Sequence, residues 1–180
     1  IASQILSPNF FSGWGVRTVA TSEARYNPMS YHNGSVWPHD NAMIAAGFCH
    51  YGFSDHIQPI FNGLLEAALA MDQRRLPELF CGFRRRPGRA PTLYPVACAP
   101  QAWASGAMLH MLSSLLGLDI DAASRTITLK SPRLPESVGT ISIRGLRVGG
   151  GSAYFVLQRK YDPVIADVTD SRGGAKVIMA

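Results

Sequence analysis

One carboxylate in the sequence has surroundings that suit acid–base chemistry. Glu78 follows Pro77 in the stretch LPELFCGF, where Leu76, Leu79 and Phe80 surround it with apolar side chains. Such surroundings disfavour the charged form of a carboxyl group, and enzymes tune a catalytic acid or base in this way. The alternative is a carboxylate that pairs with a nearby arginine or caps the first turn of a short helix. Glu78 is therefore a candidate catalytic group with a structural alternative.

The stretch YHNGSVWPHDN, from Tyr31 to Asn41, is dense in polar and aromatic side chains. Its eleven residues include two histidines, two asparagines, an aspartate, a tyrosine and a tryptophan. Asp40 leads into a helical pattern, where an aspartate in the first turn is stabilising, and a hydrogen bond to a substrate is the alternative. His32 and His39 have no third ligand at a supporting spacing, so we expect no metal site.

The three tryptophans add a second kind of candidate site. Trp14, Trp37 and Trp103 stand in GWGVR, VWPHD and PQAWASG, each beside small or polar residues. A sugar ring stacks its apolar face on an indole, and its hydroxyls need partners such as amides, imidazoles and guanidiniums. Packing in the core is the alternative for each tryptophan taken alone. Together they favour a site for a neutral carbohydrate.

Four longer motifs follow one another along the first part of the chain. FSGWGVRTVA, YNPMSYHNGSVWPHDN, RLPELFCGF and YPVACAPQAWASGA occur in this order. The succession resembles the C-terminal half of amylo-α-1,6-glucosidase-type, glycogen-debranching-like proteins, over roughly residues 8 to 118. The resemblance implies the C-terminal portion of an (α/α)6 toroid for residues 1–118 and a small antiparallel β domain for residues 119–180.

The resemblance also implies a mechanism and a set of site residues. It implies inverting hydrolysis of α-glucosidic, α-1,6-linked bonds in oligosaccharides, without a cofactor, with Glu78 as the general base. The implied sugar-binding residues are Trp14, Arg17, Tyr31, His32, Asn33, Gly34, Trp37, Gln101 and Trp103, and Asp40 is kept with them as a candidate. Debranching, glucosylglycerate-type and other small glucosides share this style of site, so the natural substrate stays open.

The general acid of such proteins is an aspartate in the first half of the toroid, which we do not find in this chain. The sequence begins at Ile1, so we expect a fragment that works with the N-terminal remainder of a parent chain. Two other functions stay open: a carbohydrate-binding remnant without turnover, and a purely structural α-plus-β domain.

The secondary structure that must position these residues is predicted to be helical in the first part of the chain and strand-rich in the last part. Helical patterns predict helices over 40–51, 56–71 and 100–116. After Asp119, the runs TITLKSP, GTISIRGLRV, AYFVLQRK and AKVIMA predict four to five antiparallel strands, and the acids of this tail lie in or beside loops. The predicted fold is mainly α with a β-rich C-terminal part, namely a partial toroid followed by a small antiparallel sheet.

Composition excludes several other classes. The net charge is +5, but its dense cluster, Arg84, Arg85, Arg86 and Arg89, lies in a loop without a basic helix or a known reading motif. A solvated or substrate-rim loop is therefore favoured over nucleic-acid binding. Three irregularly spaced cysteines fit neither a disulfide framework nor a zinc site and indicate a reducing, cytoplasmic location. Without a long apolar run we expect no membrane partner.

Overall fold

The computed structural model describes residues 1–159 and 164–180. The chain forms two compact units, Ile1–Leu112 and Ser113–Ala180. The candidate site residues all belong to the first unit. Among the described residues, no helix is long and apolar enough to cross a membrane.

The helices confirm the three helical predictions to within a few residues. They are α1 (Ala2–Ile5), α2 (Pro38–His50), α3 (Ile57–Leu69) and α4 (Ala102–Leu115), with short 3-10 turns at Ser54–His56 and Asp72–Arg74. Pro38 opens α2, where a missing N–H costs nothing, and Gly52 follows its end with a φ of +77°. Pro59 lies in the first turn of α3, which is why that helix tolerates it.

Extended segments between the helices lie side by side and form the frame of the first unit. Val36 and Phe80 exchange both backbone hydrogen bonds, at 2.9 and 3.0 Å, and both residues are fully buried. Further bridges join Arg17 to Val36 and Phe80 to Leu93. Segments that are far apart in sequence are therefore joined by backbone pairing. Val36 directly precedes the Trp37 of the dense stretch.

The frame includes a close approach of two backbones. A Cβ on Gly82 would lie 1.6 Å from the Gly34 carbonyl oxygen, so only glycine fits there. Gly34 itself has a φ of +139°, and a Cβ on it would meet the Tyr26 ring at 2.8 Å. These two glycines fix how the YHNG stretch lies against the segment that follows Glu78.

The second unit is built from six described strands in two sheets. The strands are β1 (Leu118–Asp121), β2 (Thr126–Leu129), β3 (Thr140–Val148), β4 (Gly151–Arg159), β5 (Val164–Arg172) and β6 (Lys176–Met179). One sheet has the order β1-β2-β6, with β2 and β6 parallel. The other has the order β3-β4-β5 and is antiparallel. A β-rich C-terminal part is thus confirmed, whereas the prediction of one all-antiparallel sheet is wrong.

Some acidic residues of the tail lie within strands, whereas others lie in or beside turns as predicted. Asp119 lies on β1, and Asp167 and Asp170 lie on β5. Asp121 ends β1 beside a turn and Glu136 lies in a turn, while Asp162 lies outside the described residues. β5 is exposed along almost its whole length, so it lacks the apolar alternation that identifies a strand in sequence. Its backbone pairing with β4 decides the structure instead.

The Gly34–Gly82 contact predicts a large effect of one added methyl group. Gly82→Ala places that group against backbone that cannot move aside, and we expect it to lower the free energy of unfolding by at least about 1–3 kcal/mol. Gly106→Ala is the matched control, because Gly106 lies within α4 with open space around it. There alanine should raise stability by about 0.5–1 kcal/mol. Urea unfolding followed by circular dichroism measures both, and equal stability of Gly82→Ala and wild type would contradict the contact.

Candidate functional site

Two hydrogen bonds hold the Glu78 carboxylate. The Tyr31 hydroxyl donates to Oε1 at 2.6 Å, and the backbone N–H of Cys98 donates to Oε2 at 3.3 Å. The backbone N–H of Glu78 donates to the Cys98 carbonyl at 2.8 Å, so the two segments run alongside each other. The Glu78 side chain is half-buried, which leaves room for lone pairs on both oxygens to accept from a water or a sugar hydroxyl.

The hydrogen bond to Glu78 changes the acidity of Tyr31. It is the main cause that raises the pKa of the phenol from 10.0 to about 12, with desolvation and the negative charge of Glu78 adding to it. Tyr31 therefore stays protonated across the physiological range and acts as a donor. The contact fixes the orientation of the carboxylate.

Aromatic rings surround this pair. His32 and Trp37 are stacked, with centroids 5.7 Å apart and planes 4° apart. Tyr31 meets both rings edge-on, at 4.6 Å from His32 and 4.8 Å from Trp37. Tyr94 adds a further edge contact to Tyr31 at 5.7 Å. Four of the predicted site residues, Tyr31, His32, Trp37 and Glu78, thus form one cluster, called the Glu78 cluster below.

Local hydrogen bonds explain why the dense stretch folds back on itself. The buried Ser35 hydroxyl donates to the Tyr31 carbonyl at 2.6 Å. Trp37 donates its indole N–H to the Ser35 hydroxyl at 2.9 Å and to the Tyr31 carbonyl at 3.2 Å. The indole N–H, the Ser35 hydroxyl and the Tyr31 carbonyl are therefore satisfied by one another, which fixes the turn that brings Trp37 beside Tyr31.

Asn41 anchors the dense stretch, a role that the sequence analysis did not predict. Its fully buried side chain accepts from the Val16 N–H at 2.7 Å and donates to the Val16 carbonyl at 3.1 Å and the Trp37 carbonyl at 2.9 Å. The Asn41 amide thus bonds to both backbone groups of Val16, as a neighbouring strand would, and joins Val16 to the start of α2. Its place at the end of the dense stretch was the available signal, because a buried asparagine near the start of a helix needs hydrogen-bond partners.

Tyr94 and Cys98 are the other contributors that the sequence analysis missed. Both belong to the motif YPVACAPQAWASGA, and they reach the cluster through the ring contact to Tyr31 and the backbone bonds to Glu78. Nothing local in the motif marks them, since their partners lie far away in sequence.

Arg17 donates to backbone carbonyls, and Trp14 packs against an arginine. Arg17 is 4% exposed, and its Nε donates to the Gly82 carbonyl at 2.6 Å, while Nη1 reaches the carbonyls of Pro8 and Asn9 at 3.2 and 3.4 Å. Burial lowers the pKa of its guanidinium. Trp14 is buried under the guanidinium of Arg85, 4.5 Å from its ring centroid. Sugar contact by Arg17 and Trp14 stays a prediction.

The remaining candidates are spread around the first unit. Asn33 is exposed and its carbonyl accepts from the N–H of Asn27 at 2.7 Å, whereas Gly34 is part of the backbone contact described above. Asp40 is exposed in the first turn of α2, the position expected from its helix-start role.

Gln101 and Trp103 lie at the start of α4. The Gln101 carbonyl accepts from the N–H and the hydroxyl of Ser105, both at 3.0 Å. Trp103 is 62% exposed and meets His39 edge-on at 4.9 Å, and the two line a cavity of about 430 Å³. Within the described part of the chain, no group of three or more His, Cys, Asp or Glu side chains could hold a metal ion.

Comparison with protein-family models gives a match over the N-terminal part of the chain. Residues 1–81 match the family model described as the mannosylglycerate hydrolase MGH1-like glycoside hydrolase domain. No curated protein matches the chain. The matched residues include Tyr31, His32, Trp37 and Glu78, and they end before Tyr94. This match supports a glycoside hydrolase family for the N-terminal part of the chain, without singling out the amylo-α-1,6-glucosidase type.

Proposed function

We propose that this chain supplies the general base and part of the sugar-binding surface of an inverting glycoside hydrolase with an (α/α)6 toroid. The observation that carries the proposal is the Glu78 cluster, in which a tyrosine-held carboxylate lies beside a stacked His–Trp pair. The whole cluster falls within the segment that matches a glycoside hydrolase domain. The cluster and the family match both support the activity, whereas the toroid is what the resemblance implies.

In the proposed reaction Glu78 activates a water molecule. The carboxylate accepts a proton from that water while the water oxygen attacks the anomeric carbon, and the glycosidic bond breaks as an acid protonates the leaving oxygen. Inversion needs the two carboxyl groups roughly 6.5–9.5 Å apart, so that the water fits between the base and the face of the sugar opposite the leaving group. The resemblance assigns the acid to an aspartate in the N-terminal part of a parent chain.

Tyr31 has the role of a positioning residue in this mechanism. Its hydroxyl occupies one lone pair of Oε1 and the Cys98 N–H occupies one of Oε2, which leaves a lone pair on each oxygen for the attacking water. A carboxylate held in one orientation loses less entropy when the reactive geometry forms. The aromatic faces of Trp37 and His32 suit the apolar face of a hexose ring beside it.

The substrate class is a glycoside with a terminal hexose. The resemblance favours α-1,6-linked glucosyl groups of oligosaccharides, whereas the matched family takes its name from mannosylglycerate hydrolase. Isomaltose and mannosylglycerate therefore form the discriminating pair of substrates, and we expect turnover of the α-glucoside. Turnover of mannosylglycerate alone would overturn the linkage while leaving the role of Glu78 intact.

The role of Glu78 predicts the behaviour of one variant of the full-length parent protein. Glu78→Gln should keep the fold and saccharide binding but lower kcat by about 10²–10⁴-fold, because an amide cannot accept the proton of the water. Glu23→Gln, which changes an exposed glutamate in the same matched segment, should leave kcat unchanged. Release of glucose from isomaltose measures both. Near wild-type turnover by Glu78→Gln would exclude Glu78 as the base. No turnover by the unchanged parent protein would instead leave carbohydrate binding as the function.

The role of Trp37 predicts a loss of affinity for neutral sugars. Trp37→Ala in the Glu78→Gln background should weaken isomaltose binding about tenfold, since an aromatic contact of about 1.4 kcal/mol disappears. Trp37→Phe keeps an aromatic face and should retain most of the affinity. Calorimetric titration measures the three dissociation constants, and equal affinity of the alanine and tryptophan forms would remove Trp37 from the sugar site.

The Tyr31–Glu78 contact predicts a titration that is independent of turnover. Tyr31 should ionise near pH 12 and return toward 10.0 in Glu78→Gln, as followed by ultraviolet difference absorbance against Tyr31→Phe. Because the folded-state pKa is the raised one, the contact stabilises the fold below pH 10.0 and this stabilisation is lost as the pH rises through about 12. An unchanged tyrosine titration in Glu78→Gln would show that the two side chains are not bonded in solution.

A further inference from the structure

A second feature of the first unit is a loop with an unbalanced positive charge. The stretch FRRRPGRA, residues 83–90, carries four arginines, and the sequence has no aspartate or glutamate between Glu78 and Asp119. Residues 79–118 therefore offer these arginines no carboxylate. Any neutralising group must come from elsewhere in the fold or from a ligand.

One of the four arginines is already engaged. Arg85 lies over the Trp14 ring and forms an ion pair with Glu66. Arg84, Arg86 and Arg89 are exposed, and within residues 1–159 and 164–180 no carboxylate pairs with any of the three. Three like charges held on one short loop repel one another, and a bound anion would relieve this repulsion.

The three arginines share a cavity. It has a volume of about 410 Å³ and is lined by Trp14, Phe83, Ala90, Thr92 and the three arginines; we call it the arginine pocket. Arg84 also lines a neighbouring cavity of about 450 Å³ together with Arg85. Both volumes fall within the range of roughly 300–1,000 Å³ that small-molecule sites occupy.

The frame of the first unit holds both flanks of the pocket in place. The backbone N–H of Arg85 donates to the Ser12 carbonyl, and that of Cys81 donates to the Thr92 carbonyl, each at 2.8 Å. The loop is therefore tied to two separate segments. A site whose geometry exists before binding loses less entropy when a ligand arrives.

We propose that the arginine pocket binds the carboxylates of an acidic saccharide, such as an oligosaccharide of uronic acids. Planar guanidiniums bind carboxylates through paired hydrogen bonds, and the Phe83 ring, 36% exposed, offers an apolar face for a sugar. The anionic character of the ligand rests on the arginines alone, and its saccharide character rests on the proposed function. A nucleic acid fits less well, because the loop has neither a basic helix nor a reading motif.

The test compares trigalacturonate with its methyl ester, in which the same sugars carry no charge. Calorimetric titration of the protein should show binding of trigalacturonate and at least about tenfold weaker binding of the ester, since charge-assisted hydrogen bonds are lost. The variant R84Q/R86Q/R89Q should weaken trigalacturonate binding by at least about tenfold. The control variant R25Q/R144Q/R147Q removes three exposed arginines elsewhere, reaches the same net charge and should bind as wild type does.

Several results would overturn the proposal. The acid and the ester could bind equally well, or the two triple variants could have equal effects. Inorganic sulfate could bind as tightly as trigalacturonate, or a single-stranded oligonucleotide could bind more tightly than trigalacturonate. Glu78→Gln and Trp37→Ala should leave trigalacturonate affinity unchanged. Their effects on isomaltose test the proposed function, so failure of either idea can be recognised separately.

Discussion

The first unit depends on the reciprocal hydrogen bonds between Val36 and Phe80. Both residues are fully buried, so each of these backbone groups would be costly to leave unpaired. Trp37 follows one partner directly, and Glu78 precedes the other by two residues, so a single backbone pairing sets the distance between the aromatic ring and the carboxylate. Asn41 extends this arrangement, since its amide ties the Val16 backbone to the carbonyl of Trp37. The candidate site is thus positioned by backbone pairing rather than by one rigid secondary-structure element.

Arg17 shows how a residue of a recognised motif can serve the frame. Its buried guanidinium donates to the carbonyls of Gly82, Pro8 and Asn9. A buried charge is tolerable when its donors are satisfied in this way. The Gly82 carbonyl also accepts from the Tyr26 hydroxyl at 3.2 Å, and Gly82 has no room for a side chain. Several interactions therefore converge on the backbone just after Glu78 and hold it against the dense stretch.

Two surfaces of opposite character come from this one frame. The Glu78 cluster combines aromatic rings with one carboxylate and suits a neutral sugar. The arginine pocket concentrates positive charge around Trp14 and Phe83. Only a short piece of chain separates the two surfaces. Cys81, whose N–H donates to the Thr92 carbonyl of the arginine pocket, is three residues after Glu78. Interactions that stabilise the frame therefore also position both surfaces, and a change at Gly82 would disturb both.

The sequence by itself determined the helices, the strand-rich tail and the candidacy of Glu78, because each depends on neighbouring residues: helical periodicity, short β-type runs, and apolar side chains around one acid. It could not determine that Tyr31 holds Glu78, that Tyr94 joins the cluster, or that β2 and β6 pair in parallel. These contacts join segments far apart in the chain, and no local pattern encodes their partners. β5 was missed for the same reason, since its exposed side chains carry no alternation and pairing with β4 makes it a strand. Tertiary structure alone decided which polar residues of the motifs support the fold and which surround the carboxylate, because that depends on which backbone groups are buried and need a partner.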